Sequence, residues 1–95
     1  MNKTTKQRAT HRVKIVEGQF KGLHKMIEED AYCMEILTQS LALQKSLASL
    51  SKLVVEHHIH THIQNALKSD DTVQQEKALL ELSQLYELSN VRGKI

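Results

Sequence analysis

Val13, Val16, Phe20, Leu23 and Ile27 follow one another at spacings of 3, 4, 3 and 4, the stripe of a helix packed on one side and wet on the other. The pattern predicts a first helix over about residues 5–28. Gly18 and Gly22 stand one turn apart inside it, and each costs a helix interior roughly 1 kcal/mol relative to alanine. Close packing of a neighbouring helix is one reason to keep them. After Glu28 and Glu29, Asp30 is the expected N-cap of a second helix. From Ala31 to about Lys68 there is no Pro, no Gly and no cluster of turn formers, while Leu43, Leu47, Leu50 and Val54 continue the apolar pattern. Read whole, this second helix is about 57 Å long at 1.5 Å per residue. A single 95-residue chain cannot cover such a helix, so its ends call for partner chains. Ser69-Asp70-Asp71 is the clearest break, with Ser69 or Asp71 available to cap a third helix over about residues 72–89. Ala78, Leu82 and Leu85 make its stripe, with Leu79 and Tyr86 beside it, and the tail Asn90 to Ile95 is expected to end it.

Composition supports the same plan. There is no Pro, Gly occurs three times, and Phe20, Tyr32 and Tyr86 are the aromatics, a balance that favours helix over sheet. The fold class expected is all-α: one domain over residues 1–95, built as a three-helix protomer with an overlong second helix. A chain this short buries a modest core, which makes oligomerisation an expectation. Its single cysteine cannot form an intrachain disulfide. The first residues lack the apolar core of a secretory signal, and no apolar run approaches the ~20 residues that span a bilayer. A cytoplasmic protein without a membrane partner is the expectation.

The net charge of +2 hides an asymmetry. Residues 1–25 carry seven Lys or Arg against Glu17 alone, whereas residues 26–95 carry six against ten acids. A basic end on an acidic domain suits a polyanion such as DNA, whose phosphates supply most non-specific affinity through counterion release.

Four of the six histidines fall in Glu56-His57-His58-Ile59-His60-Thr61-His62. Helix positions i and i+4 share a face, so His58 and His62 can bind one metal while His57 and His60 point elsewhere. Cys33 precedes His58 by 25 residues, about 38 Å on a continuous helix, and the two cannot meet within one protomer. Two copies of the second helix packed antiparallel about a two-fold axis near residues 46–47 bring Cys33 of one beside His58 and His62 of the other, in the commonest kind of oligomer. A free cysteine is more often a small buried hydrophobe, and an incidental histidine cluster on a helical oligomer is the bland alternative. A catalytic Cys–His pair is disfavoured, since neither oxyanion donors nor a third orienting group are evident.

Residues 16–39, VEGQFKGLHKMIEEDAYCMEILTQ, together with residues 53–62, LVVEHHIHTH, resemble the copper-sensitive operon repressor (CsoR) family and its nickel/cobalt- and formaldehyde-sensing relatives. The resemblance covers roughly residues 10–88 and rests on Gly18, Gln19 and Gly22, on the Asp30-Ala31-Tyr32-Cys33 run, and on His58 and His62 at their distance from Cys33. It implies an antiparallel homodimer pairing into a disc-like homotetramer that binds operator DNA when metal-free and is released by its effector. It also implies metal ligation by Cys33, His58 and His62, supported by Tyr32 and Glu81.

His62 stands where copper sensors commonly carry a second cysteine, which opens the choice of metal. One thiolate and two imidazoles suit three-coordinate Cu(I), whereas Ni(II) and Co(II) want more ligands and Zn(II) would add a water. His11 is the nearest extra nitrogen donor, and it matches no N-terminal ligand position of the nickel/cobalt type. For DNA, the resemblance points to basic residues of the first two helices: Arg12, with Lys14 and Lys21, on the first. On the second the family's arginine falls at Ser49, so that contact is either lost or taken by Lys45 or Lys52. Without a helix-turn-helix signature, recognition dominated by phosphates and DNA shape is expected.

Overall fold

Asn2 starts the first helix slightly ahead of expectation. Its side chain accepts from the Thr5 N–H at 2.8 Å and its carbonyl from the Lys6 N–H at 3.0 Å, which caps α1, Lys3–Glu28. This computed structural model describes the backbone of residues 1–93 and the side chains of residues 1–88. The remaining elements are α2 (Cys33–His58), a π-helical turn (Ile59–Ile63), α3 (Gln64–Lys68) and α4 (Thr72–Gly93). The all-α, three-helix plan is present, its long second helix realised as α2, the π turn and α3 in immediate succession.

Asp30 is not the N-cap expected of it. It lies just past the end of α1 at φ +54°, with its own N–H on the Ile27 carbonyl at 3.2 Å and the Ala31 N–H on the Met26 carbonyl at 2.9 Å. That pair of bonds closes a helix through a left-handed residue, usually glycine, and Asp is among the few others that visit the region. Because Asp30 and Ala31 are used to finish α1, α2 begins at Cys33 rather than Ala31. The Tyr32 carbonyl serves its first turn, accepting from Glu35 at 2.9 Å and Ile36 at 3.2 Å.

The chain falls into two compact units, Met1–His57 and the part from His58 onward. In the first, α1 and α2 run antiparallel: Arg12 bonds to Ser49, and Gln19 further along α1 meets Gln39 further back on α2. This register sets the buried Ala9 level with the buried Leu53. Thr5, Arg12, Val16, Gln19, Leu23 and Met26 complete the inward side of α1. Of the expected apolar stripe, Val13, Phe20 and Ile27 stay 38%, 60% and 56% exposed. The side turned to α2 is rotated by about 50° from this stripe at 100° per residue, and the polar Arg12 and Gln19 enter the contact by hydrogen bonding. Gly22 is the glycine that close packing explains: a Cβ there would lie 3.1 Å from Nε2 of Gln39, which donates to the Gln19 carbonyl at 2.9 Å. Gly18 has nothing within 4 Å.

In the second unit α4 packs back on the π turn and α3, burying Ile63 and Ala78. Leu82 and Leu85 are half-buried beside Ala78 along α4, while Leu79 and Tyr86 remain exposed. Asp71 is the cap of α4, its carboxylate accepting from the Val73 N–H at 2.9 Å. Ser69 closes α3 through the Ala66 carbonyl at 2.7 Å, and Gln75 reaches back to the Ser69 carbonyl at 2.6 Å. α4 continues past the expected end at Ser89 to Gly93, the first strong helix breaker in the tail. Lys94 and Ile95 lie outside the described residues. Among the described residues no helix is long and apolar enough to cross a membrane.

Candidate metal centre

The uniform α-helix expected across residues 31–68 is interrupted at the histidine cluster. Ile59–Ile63 takes π form, with the Gln64 N–H on the Ile59 carbonyl. Ile59, Thr61 and Ile63 are β-branched, and their stiff χ1 weakens the α-helix; π turns of this kind are frequent at functional sites. The alternation of β-branched residues with histidine is the sequence signal that could have found it.

At the junction, His58 is the half-buried last residue of α2, with Nε2 2.7 Å from Oε2 of Glu81 on α4. The His62 ring lies one turn on, its centroid 4.9 Å from that of His58 and its plane tilted by 38°. If Nε2 of His58 donates to the carboxylate, Nδ1 keeps the lone pair that a metal needs. His57 is half-buried and His60 exposed. The structure therefore gathers His58, His62 and Glu81.

Cys33 opens α2 and His58 closes it, about 38 Å apart at 1.5 Å per residue. Cys33 and Tyr32 are both exposed. Among the described residues no three His, Cys, Asp or Glu side chains form a group able to hold a metal.

The basic residues divide into two kinds. Lys14, Lys21, Lys45 and Lys52 are exposed, Lys52 lying 4.0 Å from Glu56. Arg12 is half-buried and donates from its guanidinium to the Ser49 carbonyl at 2.6 Å. This bond and the Gln19–Gln39 contact escape an apolar periodicity, which counts neither polar side chain as inward.

Residues 5–88 match the family described as metal-sensitive transcriptional repressor. This chain belongs to that family. The repressor is 36% identical over 77 residues to the copper-sensing transcriptional repressor CsoR of Bacillus subtilis (strain 168), a match covering 81% of this chain and 76% of that one. With the CsoR of Mycobacterium tuberculosis (strain ATCC 25618 / H37Rv) it shares 35% identity over 65 residues, 67% of this chain and 55% of that one. The copper-sensing repressor RicR of the same strain is 42% identical over 48 residues, 50% of each chain. The chain thus spans about half the length of these mycobacterial relatives. The crystal structure of the copper-sensing repressor CsoR with Cu(I) from Geobacillus thermodenitrificans NG80-2 aligns at a TM-score of 0.76 and 26% identity, covering 92% of this chain and 91% of that one. A repressor of this family acts on DNA and regulates; it is not an enzyme.

Proposed function

We propose that this chain is a Cu(I)-responsive repressor, which holds operator DNA when metal-free and releases it when Cu(I) binds, so that genes of copper efflux or homeostasis are expressed. The observation that carries the reading is the His58–His62 pair at the π turn, with His58 held by Glu81 from α4. The relatives named above are copper sensors, and the donor set of this chain suits the same metal although His62 stands where they commonly carry a second cysteine. Cys33, His58 and His62 offer one thiolate and two imidazoles, a good three-coordinate set for Cu(I) and a poor one for Ni(II) or Co(II).

The ligands come from two copies. Antiparallel pairing of α2 about a two-fold axis places Cys33 of one copy beside His58 and His62 of the other, twice per dimer. The exposed Val13, Phe20 and Ile27 of α1, with Leu37, Leu41, Leu47 and Val54 of α2, are the apolar surface such a mate and a second dimer would cover. Bound at this site, Cu(I) supplies a positive charge and short bonds that fix the imidazoles. Glu81 orients His58 from the far side of its ring, and Tyr32 stands next to the thiol. Through Glu81, the position of His58 is conveyed to α4. Operator DNA is met by the exposed Lys14, Lys21, Lys45 and Lys52, while Arg12, bonded to Ser49, sets how α1 lies on α2.

Titration of the reduced protein with Cu(I), Ni(II) and Co(II) against competing chelators, with DNA anisotropy followed in parallel, tests the reading. Thiolate-to-copper charge transfer accompanied by DNA release is expected. Ligand-field bands with Ni(II) or Co(II), or release by formaldehyde without metal, would replace copper as the effector.

A further inference from the structure

α4 engages the helix on both sides of the π turn. Glu81 reaches His58, the residue just before the turn, at 2.7 Å. Ala78 lies three residues earlier on the same face of α4 and is 3% exposed. Ile63, the last residue of the turn, is 2% exposed where α4 packs on the π turn and α3. One helix therefore holds the start and the end of Ile59–Ile63 at once.

Pairing of i with i+5 takes up about one residue more per turn than pairing of i with i+4. Wound as α-helix, residues 59–63 would turn everything from Ile63 onward by about 100° relative to His58. Glu81 and Ala78 are fixed one turn apart on α4, so α4 could then keep its bond to His58 or its cover over Ile63, and not both. Most of the rotation falls between His58 and His62. The approach of their ring centroids to 4.9 Å, with Glu81 still on His58, is thus a property of the π winding.

The local sequence favours this winding in two ways. Ile59, Thr61 and Ile63 are β-branched, which weakens the competing α-helix. The return from i, i+5 to i, i+4 pairing leaves a backbone carbonyl over, and in that stretch the Asn65 side chain donates to the Thr61 carbonyl.

We infer that the π turn is the positioning element of the metal centre: it sets His62 beside His58 while His58 keeps Glu81, and Ile59, Thr61 and Asn65 are the positioning residues that hold it. The inference rests on the Cu(I) reading and adds to it a requirement on backbone form. The same Cys33, His58 and His62 on a plain α-helix make a weaker site.

The test reads the winding in metal-free, isotopically labelled, full-length protein by NMR couplings across hydrogen bonds. Gln64 N couples to the Ile59 carbonyl carbon in the π form and to the His60 carbonyl carbon in the α form. Wild type is expected to show the Ile59 coupling. Ile59→Leu/Thr61→Ala replaces two half-buried β-branched residues with strong helix formers. It is expected to move the coupling to His60 and to bind Cu(I) at least about 10-fold more weakly, the low end of the effect of an orienting partner. Ile59→Val/Thr61→Val lacks the same hydroxyl but keeps the branching, and is expected to retain both the Ile59 coupling and wild-type affinity. Asn65→Ala, at an exposed position, is a second route to the same shift should the unbranched variant fail to fold. A His60 coupling in wild type, or wild-type Cu(I) affinity in a variant whose coupling has moved, would overturn the inference. An Ile59 coupling retained in every variant would strip Ile59, Thr61 and Asn65 of the role. Wild type with the Ile59 coupling but no Cu(I) binding would defeat the copper reading and the inference with it, an outcome distinct from Cu(I) bound to an α-wound site.

Discussion

His58 presents Nε2 to Oε2 of Glu81 at 2.7 Å, and that contact ties the end of α2 to α4. An imidazole has two nitrogens, and a partner on one decides what the other can do. With Nε2 engaged by Glu81, Nδ1 is the nitrogen left for the metal in the proposed site, and a change in ring position on binding would be felt by the carboxylate. The same pair can therefore raise metal affinity and report occupancy to a helix that carries no proposed ligand.

Glu81→Ala separates those two roles. Loss of such an orienting partner commonly costs about 10–100-fold in metal affinity, less than loss of a ligand. The coupling between metal and DNA, commonly about 1–3 kcal/mol and reciprocal between the two sites, is expected to be largely lost. DNA titrations with and without Cu(I) measure it. Release by Glu81→Ala indistinguishable from wild type would show that the signal takes another route.

The proposed ligands make unequal demands on the histidine cluster. Cys33→Ala is expected to abolish tight Cu(I) binding and His58→Ala to weaken it severely, whereas His60→Ala should change little, since His60 is exposed and outside the His58–His62 pair. Chelator competition ranks the variants. Equal losses for every histidine would describe a loose sponge with no defined site.

Assembly is the third prediction. Cys33 and His58 stand at opposite ends of α2, about 38 Å apart, so one site needs two chains. Light scattering at micromolar concentration should give a dimer or tetramer, and Cys33→Ala should leave that mass unchanged, because the helix pairing is apolar. A monodisperse monomer ends the shared-site reading.

The existence of the helices, the break at Ser69–Asp71 and the pairing of His58 with His62 were legible in the sequence because each follows from local chemistry. Turn formers interrupt apolar periodicity, and i, i+4 side chains share a face. Other features depend on competition between neighbours. Asp30 looked like an N-cap because Asp favours that position, yet closing α1 took precedence and moved the start of α2 to Cys33. The π turn required the crowding of Ile59, Thr61 and Ile63 to be weighed against a helix with no breaker. The inward side of α1 was misplaced because Arg12 and Gln19 pack by hydrogen bonding and carry no hydrophobic signal.

Two cap positions test that competition. Asp71→Ala removes the acceptor for the Val73 N–H and is expected to cost about 1 kcal/mol, roughly 4–8 °C in Tm for a domain of this size. Asp30→Gly relieves a left-handed residue and is expected to raise Tm. Thermal melts at fixed protein concentration read both, and a lower Tm for Asp30→Gly would mean that the Asp30 side chain contributes more than its backbone costs.

Arg12 is the residue for which resemblance and structure lead to different experiments. By resemblance it touches DNA, and a direct phosphate contact would make Arg12→Ala flatten the salt dependence by about 0.9 per contact. In the structure its guanidinium is turned toward α2 and donates to the Ser49 carbonyl at 2.6 Å, on the opposite side of α1 from Lys14 and Lys21. A hydrogen bond from a charged donor contributes about 1.5–3 kcal/mol when well shielded, and this half-buried one should contribute about 1 kcal/mol. Arg12→Ala is therefore expected to lower Tm by several degrees and to weaken duplex binding by loosening α1, while the salt slope and Cu(I) affinity stay near wild type. Arg12→Lys keeps the charge but loses the planar fork, and it should behave more like Arg12→Ala than like wild type. A flattened slope at unchanged Tm would place Arg12 on the phosphates after all, with the Ser49 bond given up when DNA binds.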